Sequence, residues 1–257
     1  TVSGQVQGVG FRPYVYCLAL EFYLNGTVSN NEEGVIIYIT GIEDSVQKFY
    51  KKLLQFPPSV SQIKNSTIIQ VEFKDFTDFK IILPATYGNL NLPLTPDFAI
   101  CEDCKKDLEN SNNRRYNYAF TTCVNCGPRW AITKTFPFER SNTSMDDFPM
   151  CDDCKDEYTN PLNRRFHSQT NTCSTCGIEL ILITSEGKII ETSKENIFKK
   201  VANLLLKGNI VAIKNTSGYL LCCNAEDEKV IKELRVKKNR PNKPFAVLYP
   251  SMELLKK

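Results

Sequence analysis

Apolar positions recur at helical spacing through Phe11, Tyr14, Val15, Leu18, Ala19 and Phe22, which predicts a helix with Pro13 in its first turn and Gly26 as its C-terminal cap. Residues 1–6 ahead of it read as the end of a strand. Residues 27–29 and 35–40 read as two more strands, joined by a polar turn over 30–34. Val46, Phe49, Tyr50, Leu53 and Leu54 give a second amphipathic helix, stopped by Pro57 and Pro58. Strands over 63–73 and 79–83 complete a βαββαβ order in residues 1–84. That order predicts a ferredoxin-like sandwich, two helices covering one face of an antiparallel sheet.

Periodicity then fades. Residues 85–177 are rich in Asn, Asp, Pro and Cys and poor in patterned apolar residues, so this segment has little core of its own and needs a staple. Pattern returns over 178–257. A strand pair at 180–183 and 188–190 turns at Glu186-Gly187. Ile197, Phe198, Val201, Leu204 and Leu205 predict a helix closed by Gly208. Strands at 210–213 and 219–222, a helix over 227–236 and a strand at 245–249 follow. The expected whole is an α+β multidomain chain with three segments, 1–84, 85–177 and 178–257, the last being the start of an α/β domain.

At 257 residues, with 42% hydrophobic and 24% charged residues, the composition is that of an ordinary globular protein. No apolar run approaches the roughly 20 residues that cross a bilayer, so no membrane partner is expected. The chain opens without a charged-then-apolar leader and ends inside a helix-like stretch, which predicts a cytoplasmic protein and a fragment of a longer one. Eleven cysteines could mean a disulfide scaffold, but eight lie in Cys-x-x-Cys pairs, which favours metal binding in a reducing compartment.

Those eight form a repeat. Cys101-x-x-Cys104 and Cys123-x-x-Cys126 flank 18 residues, as do Cys151-x-x-Cys154 and Cys173-x-x-Cys176, at an offset of 50. Asn113-Arg114-Arg115 coincides with Asn163-Arg164-Arg165, and Gly127 with Gly177. Two Cys-x-x-Cys turns complete a tetrahedral shell of thiolates, so two structural Zn²⁺ ions with no open position are expected. Sequential ligation follows from the repeat, although an interleaved arrangement is compatible with the same spacing. His167, the only histidine, aligns with Asn117; it either replaces one sulfur or, better supported, serves a polar surface or interface role.

Zinc segments often bind nucleic acid, yet residues 97–177 carry ten Lys/Arg against twelve Asp/Glu. Each four-thiolate zinc centre adds two negative charges, so the sign is wrong for a nucleic-acid footprint despite the local arginine pairs.

Gly4-Gln5-Val6-Gln7-Gly8-Val9-Gly10-Phe11-Arg12 lies between a predicted strand and a predicted helix. Glycines let backbone amides converge on an anion, the helix N-terminus adds its dipole, and an arginine in the first turn can clamp two phosphate oxygens. This stretch, with Gly26-Thr27-Val28-Ser29-Asn30 and Gly34, resembles the acylphosphatases. The resemblance implies a phosphate-binding loop of Val6, Gln7, Gly8, Val9, Gly10 and Phe11, with Arg12 on the phosphoryl group and Asn30 positioning the attacking water. A tight turn with a surface arginine is the plainer reading.

Residues 195–257 hold thirteen Lys/Arg against six Asp/Glu. In Lys238-Asn239-Arg240-Pro241-Asn242-Lys243-Pro244 prolines fix the backbone while cations gather, which suits a polyphosphate. The run resembles the YrdC family and implies nucleotide binding by Lys238, Arg240 and Lys243, with Lys214 on the preceding strand. Lys214-Asn215-Thr216-Ser217-Gly218-Tyr219 departs from the glycine-rich form of that family.

The order of the three segments resembles the HypF carbamoyltransferases of nickel–iron hydrogenase maturation, as do Arg114-Arg115-Tyr116, Cys126-Gly127-Pro128-Arg129 and Arg164-Arg165-Phe166-His167. That resemblance implies a carbamoyltransferase with acylphosphatase activity. Carbamoyl phosphate is cleaved, carbamate is joined to ATP (with Mg²⁺) as carbamoyl adenylate, and the carbamoyl group passes to the terminal cysteine of a HypE-like acceptor. The last step belongs to a transfer domain outside these residues. The zinc segment is then expected as a rigid spacer between two phosphate-handling stations. The competing reading is a standalone acylphosphatase carrying a zinc-stapled interaction or nucleic-acid-binding module.

Overall fold

The protein is described here by a computed structural model covering residues 1–83 and 95–256. The expected boundary at 84/85 lies outside the described residues. Two compact units are present, Thr1–Glu179 and Leu180–Lys257. The ferredoxin-like segment and the cysteine-rich segment therefore share one unit.

In the first unit, β1 (Val2–Gln5), α1 (Phe11–Glu21), β2 (Asn25–Asn31), β3 (Gly34–Thr40), α2 (Glu43–Gln55), β4 (Gln62–Ser66) and β5 (Phe79–Ile81) follow the expected order. The sheet runs β4-β1-β3-β2-β5, antiparallel throughout except where β5 lies parallel to β2. Alternation along β2 turns Gly26, Val28 and Asn30 to the buried face. α1 contributes Phe11, Val15, Leu18 and Ala19, and α2 contributes Phe49 and Leu53, to a core shared with Val28, Val35 and Phe79. Burying each such large side chain contributes roughly 1.5–3 kcal/mol before its entropy cost.

Two expectations fail here for local reasons. Gly26 does not cap α1. The helix ends at Phe22, Tyr23 takes the left-handed conformation (φ 55°), and the Leu24 amide donates to the Ala19 carbonyl at 2.9 Å. Gly26 instead sits inside β2 at φ 148°, where a Cβ would lie 1.9 Å from the Tyr38 carbonyl oxygen. The strand expected over 63–73 stops at Ser66. Among the described residues its only ladder partner is the four-residue β1, and the pairing ends at Val2 opposite Ser66. Ile69, Val71 and Phe73 are consequently exposed.

The cysteine-rich segment contributes α3 (Glu102–Glu109) and α4 (Asp152–Thr159), each beginning one residue after a cysteine and each preceded by the offset of 50 seen in sequence. Acidic residues occupy both first turns, Glu102 and Asp103 in one and Asp152 and Asp153 in the other, where they complement the helix dipole. Between them the chain makes three short 3₁₀ turns around a small core of Tyr118, Phe120, Ile132, Phe138 and Met145.

The second unit holds β6 (Leu182–Ile183), β7 (Ile189–Glu191), α5 (Lys194–Leu206), β8 (Val211–Asn215), β9 (Gly218–Cys222), α6 (Glu228–Lys237) and α7 (Met252–Leu255). β6–β7 and β8–β9 are two-stranded antiparallel pairs. Gly208 follows the cap residue Lys207 at φ 78°, as the sequence predicts for a helix end. The strand expected at 245–249 is absent. Phe245 is instead held between the guanidinium groups of Arg235 and Arg240, at 4.7 and 5.5 Å from its ring centre, so the segment follows the end of α6 rather than joining a ladder.

Candidate functional site

The loop between β1 and α1 is shaped by Gly8 (φ 70°) and Gly10 (φ 73°), left-handed positions where glycine costs least. A Cβ on Gly8 would meet Arg129 Cδ at 3.1 Å, and one on Gly10 would meet Val124 at the same distance. Among the described residues, the amides of Gln7, Gly8, Val9 and Gly10 have no backbone acceptor. The Gln7 side chain pins the loop to the β2–β3 turn by donating to the Asn31 carbonyl (2.7 Å) and the Gly34 carbonyl (2.9 Å). Arg12 stands in the first turn of α1, 7% exposed, and Asn30 comes to it on the buried face of β2, 2% exposed. The residues read from the loop motif therefore converge on one place.

A carboxylate joins them that the sequence did not announce. Glu139 Oε1 accepts from Arg12 Nη1 at 2.5 Å and from Asn30 Nδ2 at 3.2 Å, and its Oε2 accepts from Arg12 Nη2 at 2.9 Å. Glu139 is 6% exposed, so the pair is held away from water. Its hold on the Asn30 amide nitrogen fixes the orientation of that amide. Asn30 Oδ1 is left buried without a partner, as is Gln7 Oε1. Glu139 lies 109 residues from Asn30 and 127 from Arg12, and no spacing rule connects them.

The eight paired cysteines gather into two clusters, Cys101, Cys104, Cys123 and Cys126 in one, and Cys151, Cys154, Cys173 and Cys176 in the other. Neighbouring sulfurs stand 3.6–3.9 Å apart. A tetrahedron with metal–sulfur bonds of about 2.3 Å has edges of nearly that length. Both clusters thus fit a structural zinc ion, and each takes the sequential set of ligands. His167 is in neither.

The arginine pairs link the repeats, with Arg115 and Arg165 buried and Arg114 and Arg164 partly exposed. Arg114, from the first repeat, donates to Cys154 Sγ in the second cluster at 3.2 Å, and Arg164, from the second repeat, donates to Cys104 Sγ in the first at 3.1 Å. Arg115 reaches Glu157 (2.5 Å) and the Thr172 carbonyl (3.0 Å); Arg165 reaches Asp107 (2.6 Å) and the Thr122 carbonyl (3.0 Å). Burial would raise the Glu157 carboxyl, but Arg115 and then Arg114 hold it down at about 2. All four guanidinium groups are engaged by carboxylates and thiolates of the opposite repeat.

The cysteine-rich segment also reaches the loop site. Arg129, 3% exposed, donates from Nη1 and Nη2 to the carbonyls of Cys126, Pro128, Cys123 and Val124 at 2.9–3.2 Å, and from Nε to the Gly8 carbonyl of the loop. Burial lowers its guanidinium to about 10, against the raising influence of Cys123, Cys126 and Asp97. A pocket is lined from one side by Gly8, Gly10, Arg12 and Asn30, and from the other by Phe138 and His167. His167 takes the left-handed conformation (φ 52°), as Asn117 does at the equivalent position (φ 54°). Burial, then the charge of Arg12, lower its imidazole to about 4, so it is neutral at pH 7. The interface role predicted for His167 acquires a definite location: the wall of this pocket.

In the second unit the proposed nucleotide residues are only partly gathered. Arg235 Nη1 donates to the carbonyls of Arg240 (3.2 Å), Pro241 (3.4 Å) and Lys243 (3.1 Å), so one guanidinium shapes the loop bearing Arg240 and Lys243. Lys238 is the C-terminal cap of α6. Lys214 lies on β8 with its ammonium 5.0 Å from the Tyr219 ring centre. Among the described residues no hydrogen bond or ion pair ties Lys214 to that loop. The Arg240 Nε is buried without a partner.

Residues 1–81 match the Acylphosphatase family model, residues 100–133 and 150–183 match the HypF finger, and residues 203–257 match the Telomere recombination family, of the YrdC type. The chain is 44% identical over 251 residues to the carbamoyltransferase HypF of a Synechocystis species, covering 98% of the chain and 32% of that protein. It is 45% identical over 249 residues to a probable carbamoyltransferase HypF of Methanocaldococcus jannaschii, covering 96% and 32%. A crystal structure of full-length HypF in a phosphate- and nucleotide-bound form superposes with a TM-score of 0.87 at 39% identity, covering 99% of this chain and 33% of that one. The chain spans about a third of the length of the relatives it matches.

Proposed function

We propose that this chain, which belongs to the HypF family of carbamoyltransferases, supplies the acyl-phosphate-cleaving station of such an enzyme and the beginning of its nucleotide station. The observation that carries the first half is the meeting of unpartnered loop amides, Arg12 and an orphaned Asn30 Oδ1 in one buried place. Amides and guanidinium are donors for a phosphoryl group, and a lone amide oxygen accepts a hydrogen bond from water.

In this reading the open amides of the Val6–Phe11 loop, those of Gln7, Gly8, Val9 and Gly10, hold the phosphoryl end of carbamoyl phosphate together with Arg12, while the Val6 amide donates to the Gly4 carbonyl. Asn30 aligns a water behind phosphorus. The water oxygen forms the new bond to phosphorus while the bond from phosphorus to the carbamoyl oxygen breaks, its electron pair leaving with carbamate. Carbamate departs as an anion, so no general acid is needed, and the proton of the water goes to the phosphate product. Positioning and charge compensation are what phosphoryl transfer demands of a protein.

The residues 1–84, 85–177 and 178–257 then serve as an acylphosphatase domain, a double zinc-binding segment and the start of a YrdC-like domain. Zn²⁺ in the two clusters would be held by the eight thiolates as structural ions. Lys214, Lys238, Arg240 and Lys243 would face the phosphates of ATP with its Mg²⁺ once the rest of the domain packs against them. Carbamoyl adenylate formation and transfer to the cysteine of a HypE-like acceptor belong to the longer protein. Sets of free thiolates suit a reducing cytoplasm, and no helix of the described residues is long and apolar enough to cross a membrane. Phosphate release from carbamoyl phosphate by the chain, compared with Arg12→Ala, tests the first station; equal rates would refute it.

A further inference from the structure

Six polar side chains line the pocket beside the phosphate loop: Arg12, Asn30, Arg129, His167, Ser168 and Gln169. Five of them have protein partners. Glu139 accepts from Arg12 and from the Asn30 amide nitrogen. Arg129 gives its donors to five backbone carbonyls. The Ser168 hydroxyl meets Thr170 Oγ1 at 3.4 Å, and Gln169 Nε2 donates to the Tyr158 hydroxyl at 3.2 Å. Among the described residues, His167 makes hydrogen bonds through its backbone alone: its amide donates to the Tyr158 carbonyl and its carbonyl accepts from Gln169, both at 2.9 Å.

The imidazole is nevertheless held in place. Tyr158 lies against it with ring centres 4.9 Å apart, and Phe166 meets it edge-on at 4.7 Å. Its counterpart in the first repeat, Asn117, shares the left-handed backbone, but of the two positions only 167 lines the pocket. The repeat departs from itself where a ligand would sit.

We propose that His167 is a phosphoryl-binding residue, donating an imidazole N–H to an oxygen of the phosphate held by the loop amides and Arg12, an inference that rests on the reading of this site given above. The charged and titratable groups around the ring are Arg12 and Arg129 on the pocket wall, Glu139 against Arg12, and the Tyr158 hydroxyl. Of these, Arg12 is the one whose charge acts on the imidazole, lowering it together with burial. Arg12 is also the guanidinium assigned to the phosphoryl group. An anion bound there acts on the ring with the opposite sign and favours a donating imidazole. Phosphoryl oxygens can only accept, so the N–H of the neutral ring is the atom that meets them. Glu139 already compensates part of the charge on Arg12, which leaves the phosphoryl group in need of a further donor. A ring that is neutral at rest adds no repulsion beside Arg12 before the anion arrives.

The chain contains a single histidine, so its imidazole gives one set of NMR signals. The probe is inorganic phosphate, which carries no acyl group and therefore reports on the phosphoryl end alone. It is added at pH 7 to the 257-residue chain with both zinc sites filled, and the amides of Gly8 and Gly10 are followed beside the ring. The imidazole signals should move in step with those amides and give the same Kd. His167→Asn, which suits the backbone conformation already seen at Asn117 and has a shorter side chain, should weaken phosphate binding by roughly 10-fold or more with both zinc ions retained. Loop amides that respond while the imidazole stays still overturn the proposal. An asparagine variant that binds phosphate within twofold of wild type overturns it as well, because a ring that merely lay near Arg12 would shift without contributing affinity. If neither the loop amides nor the ring respond, the underlying reading of the site fails, and this inference with it.

Discussion

Arg164 donates to the Cys104 sulfur at 3.1 Å across 60 residues of chain, and Arg114 returns the arrangement by donating to Cys154 at 3.2 Å. Each repeat supplies the cation that stands beside the other's thiolates. With zinc bound, each four-thiolate centre carries a net charge of about −2, and the arginine of the opposite repeat offsets part of it. Each set of four thiolates lies within its own repeat, but the cation beside it comes from the other.

This reciprocity predicts that the two metal ions leave together. Titration with a chelator, followed by native mass spectrometry, should show chains with two ions and chains with none, and few with one. Arg164→Ala should weaken the site of Cys101, Cys104, Cys123 and Cys126 by about 10-fold to 100-fold, as loss of a metal's supporting shell typically does. A stepwise release through a dominant one-ion form would contradict the coupling.

Arg129 predicts a second long-range effect. It holds five carbonyl oxygens, four around the first cysteine cluster and one in the phosphate loop. Arg129→Ala leaves those buried acceptors short of donors, at roughly 1–3 kcal/mol for each that water cannot reach. Acyl-phosphate hydrolysis should fall by 10-fold or more and the unfolding temperature should drop by several degrees, although Arg129 lies more than a hundred residues from the loop it steadies. Removal of zinc should act in the same direction by the same route.

Local grammar made much of this visible in the sequence. Glycines before Arg12 and the 50-residue offset of the cysteines each encode geometry within one element or one repeat. They were enough to predict the loop and both metal clusters, whereas Asn30, read as the start of a turn, lies inside β2 on its buried face. Glu139 escaped because its partners come from packing between two segments, and a lone glutamate after Pro137-Phe138 carries no periodic signal. His167 was legible only as a departure from Asn117. The ends of β4 and the fate of Phe245 were set by which strand was available to pair, which no single strand records.

Arg12 and Glu139 predict an unequal outcome for stability and activity. Arg12→Ala strands a buried carboxylate and should cost about 3–5 kcal/mol of folding stability, besides a loss of roughly 10²–10³ in hydrolysis. The double variant Arg12→Ala/Glu139→Ala removes the stranded charge and should recover much of the stability while remaining inactive. Chemical denaturation gives the first quantity and phosphate release the second. Additive losses in stability would mean that the pair contributes nothing as a pair.

His167 supplies a prediction with a definite pH window. Burial, then Arg12, lower its folded value to about 4 from the ordinary 6.5. Between those values the unfolded chain binds a proton that the folded chain refuses, so folding stability falls as pH drops from 6.5 towards 4 and this contribution is constant below. The shift caps the loss at about 3 kcal/mol, reduced by the partial exposure of the ring. His167→Asn is the informative variant, because Asn117 already adopts the same left-handed backbone at the equivalent position of the first repeat. Thiolate protonation weakens both proteins alike in acid, so the difference between their unfolding free energies isolates the imidazole. That difference should favour the asparagine variant increasingly from pH 6.5 to pH 4. A difference that does not change with pH would mean that His167 is not held neutral beside Arg12.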